Sequence, residues 1–324
     1  MATAGGYWAN LAELQKLVND DFQKGVIAEI IEDGGFTAKL PIESISGTQK
    51  TYNREGTLPS GTYYGVGEEW TDLEVATYTQ ITATLKIHGG QYPIDKFVGR
   101  NYNNPNSIKA IAAQQSAKGL KRGLESDLVY GSVTANAKAF NGLQNLCAAT
   151  QRVNNGSGSA GAPPSFHKLG TMIRLVRGKK PDLLLMSRAL EQRLSESHLG
   201  GTTNHPVIAV TQDGVNIQPS VKSYDGIPVM RSDYMLMTEA LSGGSFSAST
   251  GGSTGSIIAL YFGRLEDGGV SLGLADSLFE KEEIQTLPNK DAGLFRIKSY
   301  LTLILGSTKA LAIMDGCTDA PFAA

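Results

Sequence analysis

Residues 124–145 read LESDLVYGSVTANAKAFNGLQN, in which the end of a helix, a polar loop and a tight turn follow one another. Leu124 and Leu128 recur at helical spacing, which predicts the last turns of an amphipathic helix. Gly131, directly after Tyr130, is a typical helix stop, and the Phe-Asn-Gly-Leu run predicts a turn. The rest of the chain can be interpreted outward from this succession.

The helix itself begins well before this stretch. Ser107 follows Asn104-Pro105 and can cap a helix, so we expect one helix from Ser107 to Tyr130. A helix of roughly 23 residues is about 35 Å long. Its apolar stripe consists of Ala113, Ala117, Leu120, Leu124 and Leu128.

Residues 48–88, before this helix, are typical of a long β-ribbon that is poor in large apolar groups. Thr48–Gly56 can pair with the segment that ends at His88, across a turn containing Pro59 and several glycines. One side of that segment is expected to be the more apolar, and its members alternate along the chain. They are Val75, Thr77, Thr79, Ile81, Ala83, Leu85 and Ile87. A two-stranded ribbon is barely stable alone in water, so we expect something outside the ribbon to cover this face.

Two glycine-rich segments, residues 154–164 and 242–256, are predicted to be exposed loops or hinges because they have few apolar groups to bury. The pattern around them is α/β. Helices are expected from Ser165 and over Arg188–His198, and strands over Leu183–Met186, Gly226–Arg231, Ile257–Phe262 and Val270–Leu274.

The end of the chain predicts a hairpin. Leu294–Leu305 and Thr308–Met314 are two apolar runs, and Gly306-Ser307 between them is expected to be the turn. At the other end of the chain, Leu11 to Val18 predict a helix. Two interpretations of this helix stay open: it packs on the chain's own core, or it is an arm held by a neighbouring subunit or a scaffolding partner.

The composition is that of a folded protein, with 324 residues, 41% hydrophobic and 19% charged, and a formal net charge of −2. This charge excludes a strong global attraction to nucleic acid or to an anionic membrane. No apolar run is long enough to cross a bilayer, and the first residues lack a signal peptide's pattern. Cys147 and Cys317 are the two cysteines, which suit a reducing compartment, so we expect a cytoplasmic site of synthesis.

Two short motifs match known signatures by chance. Gly156–Gly161 fits G-x-G-x-x-G, but it precedes Pro163-Pro164 and opens no βαβ unit. Gly251–Gly255 fits G-x-S-x-G, but it lies in low-complexity sequence and not at a strand-to-helix elbow. The histidines and cysteines lack the spacings of metal ligands, so we expect no metal site and no cofactor.

The order of these elements resembles that of the major capsid proteins of tailed bacteriophages, which have the Hong Kong 97-type shell fold. The most family-like segments are Leu40–Pro59, Leu124–Asn145, Asp225–Asp233 and Leu294–Met314. None of them is a catalytic fingerprint, so the resemblance depends on their succession over nearly the whole chain. The family often carries a long N-terminal scaffolding extension, whereas here the ribbon begins at Thr48. Any scaffold would then be a separate protein, or the shell would assemble without one.

The resemblance implies an α+β fold, the Hong Kong 97-type capsid fold, in five parts. These are an N-terminal arm (1–44), an extended β-hairpin loop (45–89), a peripheral domain with a long spine helix (90–164), an axial α/β domain (165–279) and the return strands of the peripheral domain (280–324).

The resemblance also implies a structural protein that is not an enzyme. Copies would assemble into pentamers and hexamers of an icosahedral head that encloses double-stranded DNA. The protein would be located in the virion after assembly in the host cytoplasm. Its partners would be further copies, separate scaffolding, portal and decoration proteins, and DNA bound without sequence preference, but no membrane.

Three alternatives stay open, of which a tail or adhesin component is disfavoured by the absence of internal repeats. An encapsulin-like nanocompartment shell has the same architecture but holds a cargo enzyme and no genome. An intracellular enzyme with an α/β domain would need converging ionisable groups in a pocket, and the sequence offers no motif for one.

Charged residues of the ribbon are candidate inter-subunit contacts. The second arm carries four closely spaced carboxylates and the first arm carries two cations. These residues are Glu68, Glu69, Asp72 and Glu74, and Lys50 and Arg54. Like charges bunched this tightly favour a cationic partner surface, although a solvated edge that prevents strand aggregation is the alternative.

Lys118, Lys121 and Arg122 cluster on one face of the long helix. Local cations neutralise phosphates without sequence preference, so this face is a candidate for contact with packaged DNA. A solvated face is the alternative. Some shell proteins of the family cross-link a lysine to a neighbour's asparagine. Lys50 and Asn289 are the residues available for such a bond here, and whether it forms stays open.

Overall fold

The computed structural model describes most of the chain after residue 34. The described residues are 35–95, 108–156, 158–178, 180–199, 223–242, 245–275, 278–284 and 292–323. The helix predicted at Leu11–Val18, Asn289 and most of the predicted N-terminal arm lie outside these residues.

Four α-helices and four 3-10 turns lie within the described residues. The helices are α1 Ile108–Tyr130, α2 Leu143–Leu146, α3 Phe166–Leu175 and α4 Arg188–Leu199. The 3-10 turns are Thr37–Lys39, Ala149–Gln151, Leu265–Asp267 and Thr308–Ala310. The long helix predicted from the apolar stripe is therefore confirmed as α1. Within the same residues, no helix has the combined length and apolarity needed to cross a membrane.

α1 ends where two glycines bring the chain back against itself. The Gly131 amide donates to the Asp127 carbonyl at 2.8 Å, and the Gly142 amide donates to the Gly131 carbonyl at 2.8 Å. A Cβ on Gly131 would lie 2.6 Å from the Phe140 carbonyl oxygen, and one on Gly142 would lie 2.7 Å from that of Val129. Only glycine permits backbone contact this close, so residues 124–145 fold as one unit.

The strands within the described residues are numbered in chain order. They are β1 Ile42–Ser44, β2 Gln49–Glu55, β3 Tyr78–Thr84, β4 Lys86–Asp95, β5 Arg152–Asn154, β6 Leu183–Met186, β7 Ser223–Tyr224, β8 Ile227–Arg231, β9 Glu239–Ser242, β10 Ser245–Thr250, β11 Gly255–Leu260, β12 Val270–Leu274, β13 Glu280–Ile284, β14 Ala292–Leu305 and β15 Leu311–Cys317.

β14, which runs for 14 residues, is the centre of a five-stranded sheet. β4 pairs antiparallel along one edge of β14, and β12 and β13 pair antiparallel along the other. β1 adds in parallel to β12. Leu124 and Leu128 of α1 lie in one buried cluster with Leu272, Leu301 and Leu303 of this sheet. The C-terminal part of the predicted stripe therefore packs against the sheet, whereas Ala117, which was predicted to belong to the stripe, is exposed.

A six-stranded sheet, with strand order β5-β15-β11-β6-β8-β7, separates two hydrophobic cores. Along β6 every residue is buried. Leu183 and Leu185 join the cluster that contains α1, whereas Leu184 and Met186 join a second cluster with residues of α3 and α4. Strands buried on both faces have continuous apolar runs, which explains why Leu-Leu-Leu-Met shows no alternation.

The predicted final hairpin is wrong, because β14 and β15 belong to different sheets. The amides of Gly306 and Ser307 donate to the carbonyls of Gly269 and Gly268 at 2.9 and 2.8 Å, so these residues extend pairing beside β12 and form no hairpin turn. The Ser307 hydroxyl then accepts from the Lys309 amide at 3.2 Å and starts a 3-10 turn. Both apolar runs are buried, and an apolar pattern does not show which sheet a strand joins.

Strand pairing also crosses the predicted domain boundary between residues 279 and 280. β12 precedes this boundary but lies in the five-stranded sheet with β14. β15 follows it but lies in the six-stranded sheet with β6 and β11. The two sheets thus exchange strands across the boundary, and the numbered limits of the five parts stay predictions.

The glycine-rich segment 242–256 is partly buried, contrary to the prediction of an exposed loop. β10 within it pairs with β9, and Thr254 and Ser256 are at most 1% exposed. A Cβ on Gly252 would lie 2.0 Å from the Glu239 carbonyl oxygen. Glycine occurs here because two backbone segments touch, which has the same sequence signature as a flexible loop.

The glycine-rich segment 154–164 is also tied down. Asn155 is 3% exposed, and its Nδ2 donates to the Ala162 carbonyl at 2.6 Å. Gly161 has a positive φ of 67°, and a Cβ there would lie 2.6 Å from the Gly316 carbonyl oxygen. Residues 158–160 remain exposed, so the prediction holds for the tip of this loop and fails for its base.

Candidate subunit interface

The ribbon, defined as residues 49–84, consists of β2, β3 and the loop between them. β2 and β3 pair antiparallel, with Gln49 opposite Thr84 and Glu55 opposite Tyr78. The pairing predicted from the alternating pattern is therefore confirmed.

The predicted single apolar face does not continue past Leu85. Ile81 is partly buried, as the alternation requires, but Ile87 is 72% exposed. Leu85 lies between β3 and β4, and after it the partly buried side passes to residues such as His88. The His88 Nε2 lies 3.1 Å from the Leu120 carbonyl oxygen, because β4 runs beside α1. The alternation slips by one residue where the ribbon joins the five-stranded sheet.

The base of the ribbon is attached to the chain's own five-stranded sheet. The Tyr52 hydroxyl donates to the Leu305 carbonyl at 2.7 Å. The Arg54 Nε donates to the Gly306 carbonyl at 2.8 Å, and its Nη2 donates to the Leu305 carbonyl. The guanidinium also lies over the Tyr52 ring, 5.7 Å from its centroid. Burial raises the pKa of Tyr52, and the neighbouring Arg54 opposes that rise.

Lys50 adds a second attachment on the same face of β2. Its Nζ lies 3.3 Å from the Glu43 Oε1, with side-chain exposures of 39% and 13%. The other Glu43 oxygen accepts from the Leu265 amide at 3.2 Å and from the Ser271 hydroxyl at 3.3 Å. Lys50 is therefore paired within its own chain.

The loop of the ribbon, residues 56–77, leaves large apolar side chains in water. Every residue of this loop is exposed except Tyr64 and Ala76, which are partly buried. Together with the first residue of β3, the loop carries seven exposed large hydrophobic side chains. They are Leu58, Tyr63, Val66, Trp70, Leu73, Val75 and Tyr78. Exposed apolar side chains at this density are typical of a surface that another protein covers.

The loop nevertheless has internal structure. The Tyr64 and Trp70 rings stack with centroids 4.4 Å apart, and the Tyr64 hydroxyl lies 2.8 Å from the Thr71 hydroxyl. The Gly65 amide donates to the Glu68 Oε2 at 2.6 Å. These contacts hold the loop in a defined shape, so its apolar groups are presented together.

The six ribbon residues predicted to contact a neighbour fall into two groups. Lys50, Arg54 and Glu68 make the contacts within the chain described above. Glu69, Asp72 and Glu74 are exposed, and no cation of the described residues lies within 4.0 Å of them. An inter-subunit role stays a prediction for all six, and the three exposed carboxylates are the strongest candidates.

The three cations of α1 do not share one environment. Lys118 and Lys121 are exposed, whereas Arg122 is partly buried. The structure thus leaves two of the three side chains accessible to a polyanion. Contact with DNA stays a prediction.

Sequence reasoning missed a set of hydrogen-bonded buried side chains, here called the buried polar chain. Its members are Tyr130, Glu239, Ser256, Gln144, Arg152 and Asp315. The Tyr130 hydroxyl donates to the Glu239 Oε1 at 2.6 Å, and the Ser256 hydroxyl donates to the same oxygen at 2.9 Å. The Tyr130 oxygen accepts from the Leu236 amide at 2.9 Å. The last residue of α1 is thereby joined to β9 and β11.

The other half of the buried polar chain reaches β5 and β15. The Gln144 Nε2 donates to the Ser256 hydroxyl at 2.7 Å. The Arg152 Nη1 donates to the Gln144 Oε1 at 3.1 Å and to the Asp315 Oδ2 at 2.6 Å. Asp315 is fully buried, so this ion pair is shielded from solvent.

Burial governs the protonation of these groups. It raises the pKa of Glu239 to about 7, although the hydrogen bonds from Tyr130 and Ser256 act in the opposite direction. Burial also raises the pKa of Asp315, and Arg152 opposes that rise. It raises the pKa of the Tyr130 hydroxyl as well. The sequence does contain a signal for the two carboxylates, because each is a single acid in an apolar or small-residue strand.

Neither a protein-family model nor a curated protein sequence matches this chain. Solved structures do match it. The encapsulin of the holo-SrpI complex from Synechococcus elongatus has a TM-score of 0.68 at 15% identity, covering 97% of this chain and 98% of that one. The capsid protein of cyanophage A-1(L) has a TM-score of 0.66 at 12% identity, covering 94% and 98%. The capsid of the native GTA particle has a TM-score of 0.63 at 12% identity, covering 95% and 98%.

Identities of this size show a shared fold. Since both chains are covered almost completely in each comparison, the predicted α+β shell fold of the Hong Kong 97 type is confirmed. Viral capsids and an encapsulin have comparable scores, so the fold is common to shells of both kinds.

Proposed function

We propose that this chain is the repeating subunit of a closed protein shell and that it has no enzymatic role. The ribbon is the observation that carries the proposal. Its base is attached to the subunit through Tyr52 and Arg54, and its loop with the adjoining Tyr78 leaves seven large apolar side chains exposed. A neighbouring copy that covers the loop would bury these groups, and such burial contributes about 25 cal/mol per Å².

The shared fold supports the assembly in outline. Its neighbours are capsid and encapsulin structures, so the surface that covers the ribbon is proposed to belong to another copy of this chain. The finer proposal is an icosahedral head of pentamers and hexamers that encloses double-stranded DNA. Such a head would be located in the virion after assembly in the host cytoplasm, with separate scaffolding, portal and decoration proteins as partners.

Charge supports two further assignments. Glu69, Asp72 and Glu74 are proposed to contact cations of a neighbouring subunit, because they lie beside the exposed apolar groups of the loop. Lys118 and Lys121 are proposed to face packaged DNA, because exposed cations neutralise phosphates regardless of sequence.

Electron microscopy of the chain expressed alone tests the shell. We expect closed shells, tubes or capsomer rings. A matched variant replaces residues 58–76 with Asn-Gly, since the Gly56 amide already donates to the Thr77 carbonyl at 2.8 Å and a two-residue turn can close the ribbon there. This variant should keep the melting temperature of the subunit and form no particles.

Two outcomes would contradict the proposal. A wild-type chain that stays monomeric when concentrated would contradict the proposal of a shell. A shortened variant that assembles normally would contradict the proposed role of the ribbon. The Val133→Ala substitution is the control for loss of an exposed apolar group elsewhere, because Val133 is 38% exposed outside the ribbon.

The second candidate is an encapsulin-like compartment, which the likeness to the Synechococcus elongatus encapsulin favours. Particles isolated from the cells that naturally make them distinguish the two candidates. Double-stranded DNA that resists added nuclease would support the viral head. A protein enclosed in particles without nucleic acid would support the compartment.

A further inference from the structure

Glu239 is a buried acid for which the described part of the chain supplies no cation of its own. Its side chain is fully buried on β9. The cation nearest in the buried polar chain is Arg152, whose guanidinium donates to Asp315 at 2.6 Å and to Gln144 at 3.1 Å. Two buried carboxylates therefore share one guanidinium, and that guanidinium is bonded to Asp315. An ionised Glu239 would be an uncompensated charge, which is costly inside a protein.

The hydrogen bonds of Glu239 fit a neutral carboxylic acid. Its Oε1 accepts from the Tyr130 hydroxyl at 2.6 Å and from the Ser256 hydroxyl at 2.9 Å. Its Oε2 is buried and has no hydrogen-bond partner. A carboxylate has acceptor capacity on both oxygens, whereas a carboxylic acid concentrates it on the carbonyl oxygen. The arrangement places both donors on one oxygen and leaves the other for a proton.

Glu239 also lies where three parts of the subunit meet. Through Tyr130 it is joined to the end of α1, and through Ser256 to β11. The Glu239 backbone pairs with Thr254, which donates its hydroxyl to the Glu239 carbonyl at 2.8 Å. A change in the protonation of Glu239 therefore affects contacts with both α1 and β11.

We propose that the Tyr130–Glu239–Ser256 group is a proton-dependent latch between the end of α1 and strands β9 and β11. The latch is tight while Glu239 is neutral. It loosens when Glu239 ionises, because local opening gives the charged Oε2 access to water. This inference concerns the single subunit and does not depend on the shell function.

Burial, more than the surrounding groups, sets this direction. Those that face Glu239 within the described residues are Tyr130 of α1, Arg152 of β5, and Asp315 and Cys317 of β15. Burial is the main cause that raises the pKa of Glu239 from 4.5 to about 7. The hydrogen bonds from Tyr130 and Ser256 oppose that rise, Asp315 adds to it, and Arg152 opposes it. An acid with a raised pKa holds its proton longer in the closed form than in the open form. The closed form is therefore most favoured in acid, and this advantage is lost as the pH rises to about 7.

Hydrogen exchange of the Leu236 amide in the full-length chain measures the latch, because this amide donates to the Tyr130 oxygen. After correction for intrinsic exchange, the opening constant should rise about tenfold per pH unit above the ordinary carboxyl range and level off near pH 7. Glu239→Gln keeps an oxygen acceptor for Tyr130 and Ser256 but cannot ionise, so its opening constant should lose the tenfold rise per pH unit. Glu266→Gln, an exposed change away from the ribbon, should retain the wild-type dependence.

A second measurement covers the case in which Glu239→Gln does not fold. Infrared difference spectra of the wild-type chain should show a protonated carboxylic acid band that disappears with a midpoint near neutral pH. A wild-type opening constant that is independent of pH would overturn the latch. So would a Glu239→Gln protein with the wild-type slope, or a wild-type spectrum without that band.

Discussion

The loop of the ribbon and the six-stranded sheet both carry many apolar side chains, but they place them in opposite environments. In the sheet, β6, β11 and β15 are buried along their whole length. In the loop, side chains such as Trp70 are exposed to water. Other parts of the same chain bury the apolar side chains of the sheet, whereas those of the loop are buried only if another surface covers them. Stability of the subunit and stability of an assembly should therefore depend on different residues.

The largest expected effect is in the sheet. Leu185 is fully buried in the core cluster that contains α1, so Leu185→Ala should lower the free energy of unfolding of the subunit by about 2–5 kcal/mol. Trp70→Ala in the loop should change it by less than about 0.5 kcal/mol while weakening assembly. Denaturant unfolding of the ribbon-shortened chain gives the first value without interference from assembly. Comparable losses for the two substitutions in the full-length subunit would end the distinction between the regions.

A smaller effect is expected where the two environments meet, at the base of the ribbon. Arg54→Ala removes the hydrogen bonds to the Leu305 and Gly306 carbonyls, and loss of charged hydrogen bonds of this kind costs about 1.5–3 kcal/mol. The ribbon should then be cleaved faster in limited proteolysis, with little change in the melting of the sheets. Arg188→Ala, an exposed change on α4, is the control. Unchanged cleavage of the Arg54→Ala ribbon would mean that these bonds do not hold it.

The smallest effect is expected from the exposed carboxylates of the loop. Each exposed ion pair contributes about 0.2–1 kcal/mol and is weakened by salt. Neutralising Glu69, Asp72 and Glu74 together should raise the protein concentration needed for assembly at low salt more than at high salt. Subunit melting should not change. If the melting temperature of the subunit fell as much as its assembly, these carboxylates would stabilise the subunit itself and not the contact between subunits.

The sequence predicted those elements whose pattern is local. α1 has the expected bounds because the apolar spacing and the Gly131 stop that predict it are both local features of one stretch of sequence. The pairing of β2 with β3 was predictable because the alternation and the turn residues lie close together in the chain. The order of such elements was sufficient to predict the shell fold.

The failures concern contacts between distant residues. β14 and β15 have similar apolar runs but lie in two sheets, and Gly306 and Ser307 between them bond to the distant carbonyls of Gly269 and Gly268. In the sequence, Gly252 resembles part of a flexible loop. In the structure, it allows the backbone to pack against the Glu239 carbonyl, 13 positions earlier in the chain. Glu239 itself could be recognised as unusual, but its partners come from elements that no local pattern connects.

The two sides of the ribbon's attachment differ in how strongly they depend on the amino-acid sequence. Tyr52 and Arg54 supply the donors with their side chains, whereas the acceptors at positions 305 and 306 are peptide oxygens. A peptide oxygen is encoded by no particular codon, so drift at position 305 would leave its acceptor in place. Substitutions at Tyr52 or Arg54 can therefore remove these hydrogen bonds, whereas substitutions at positions 305 and 306 leave the acceptors in place.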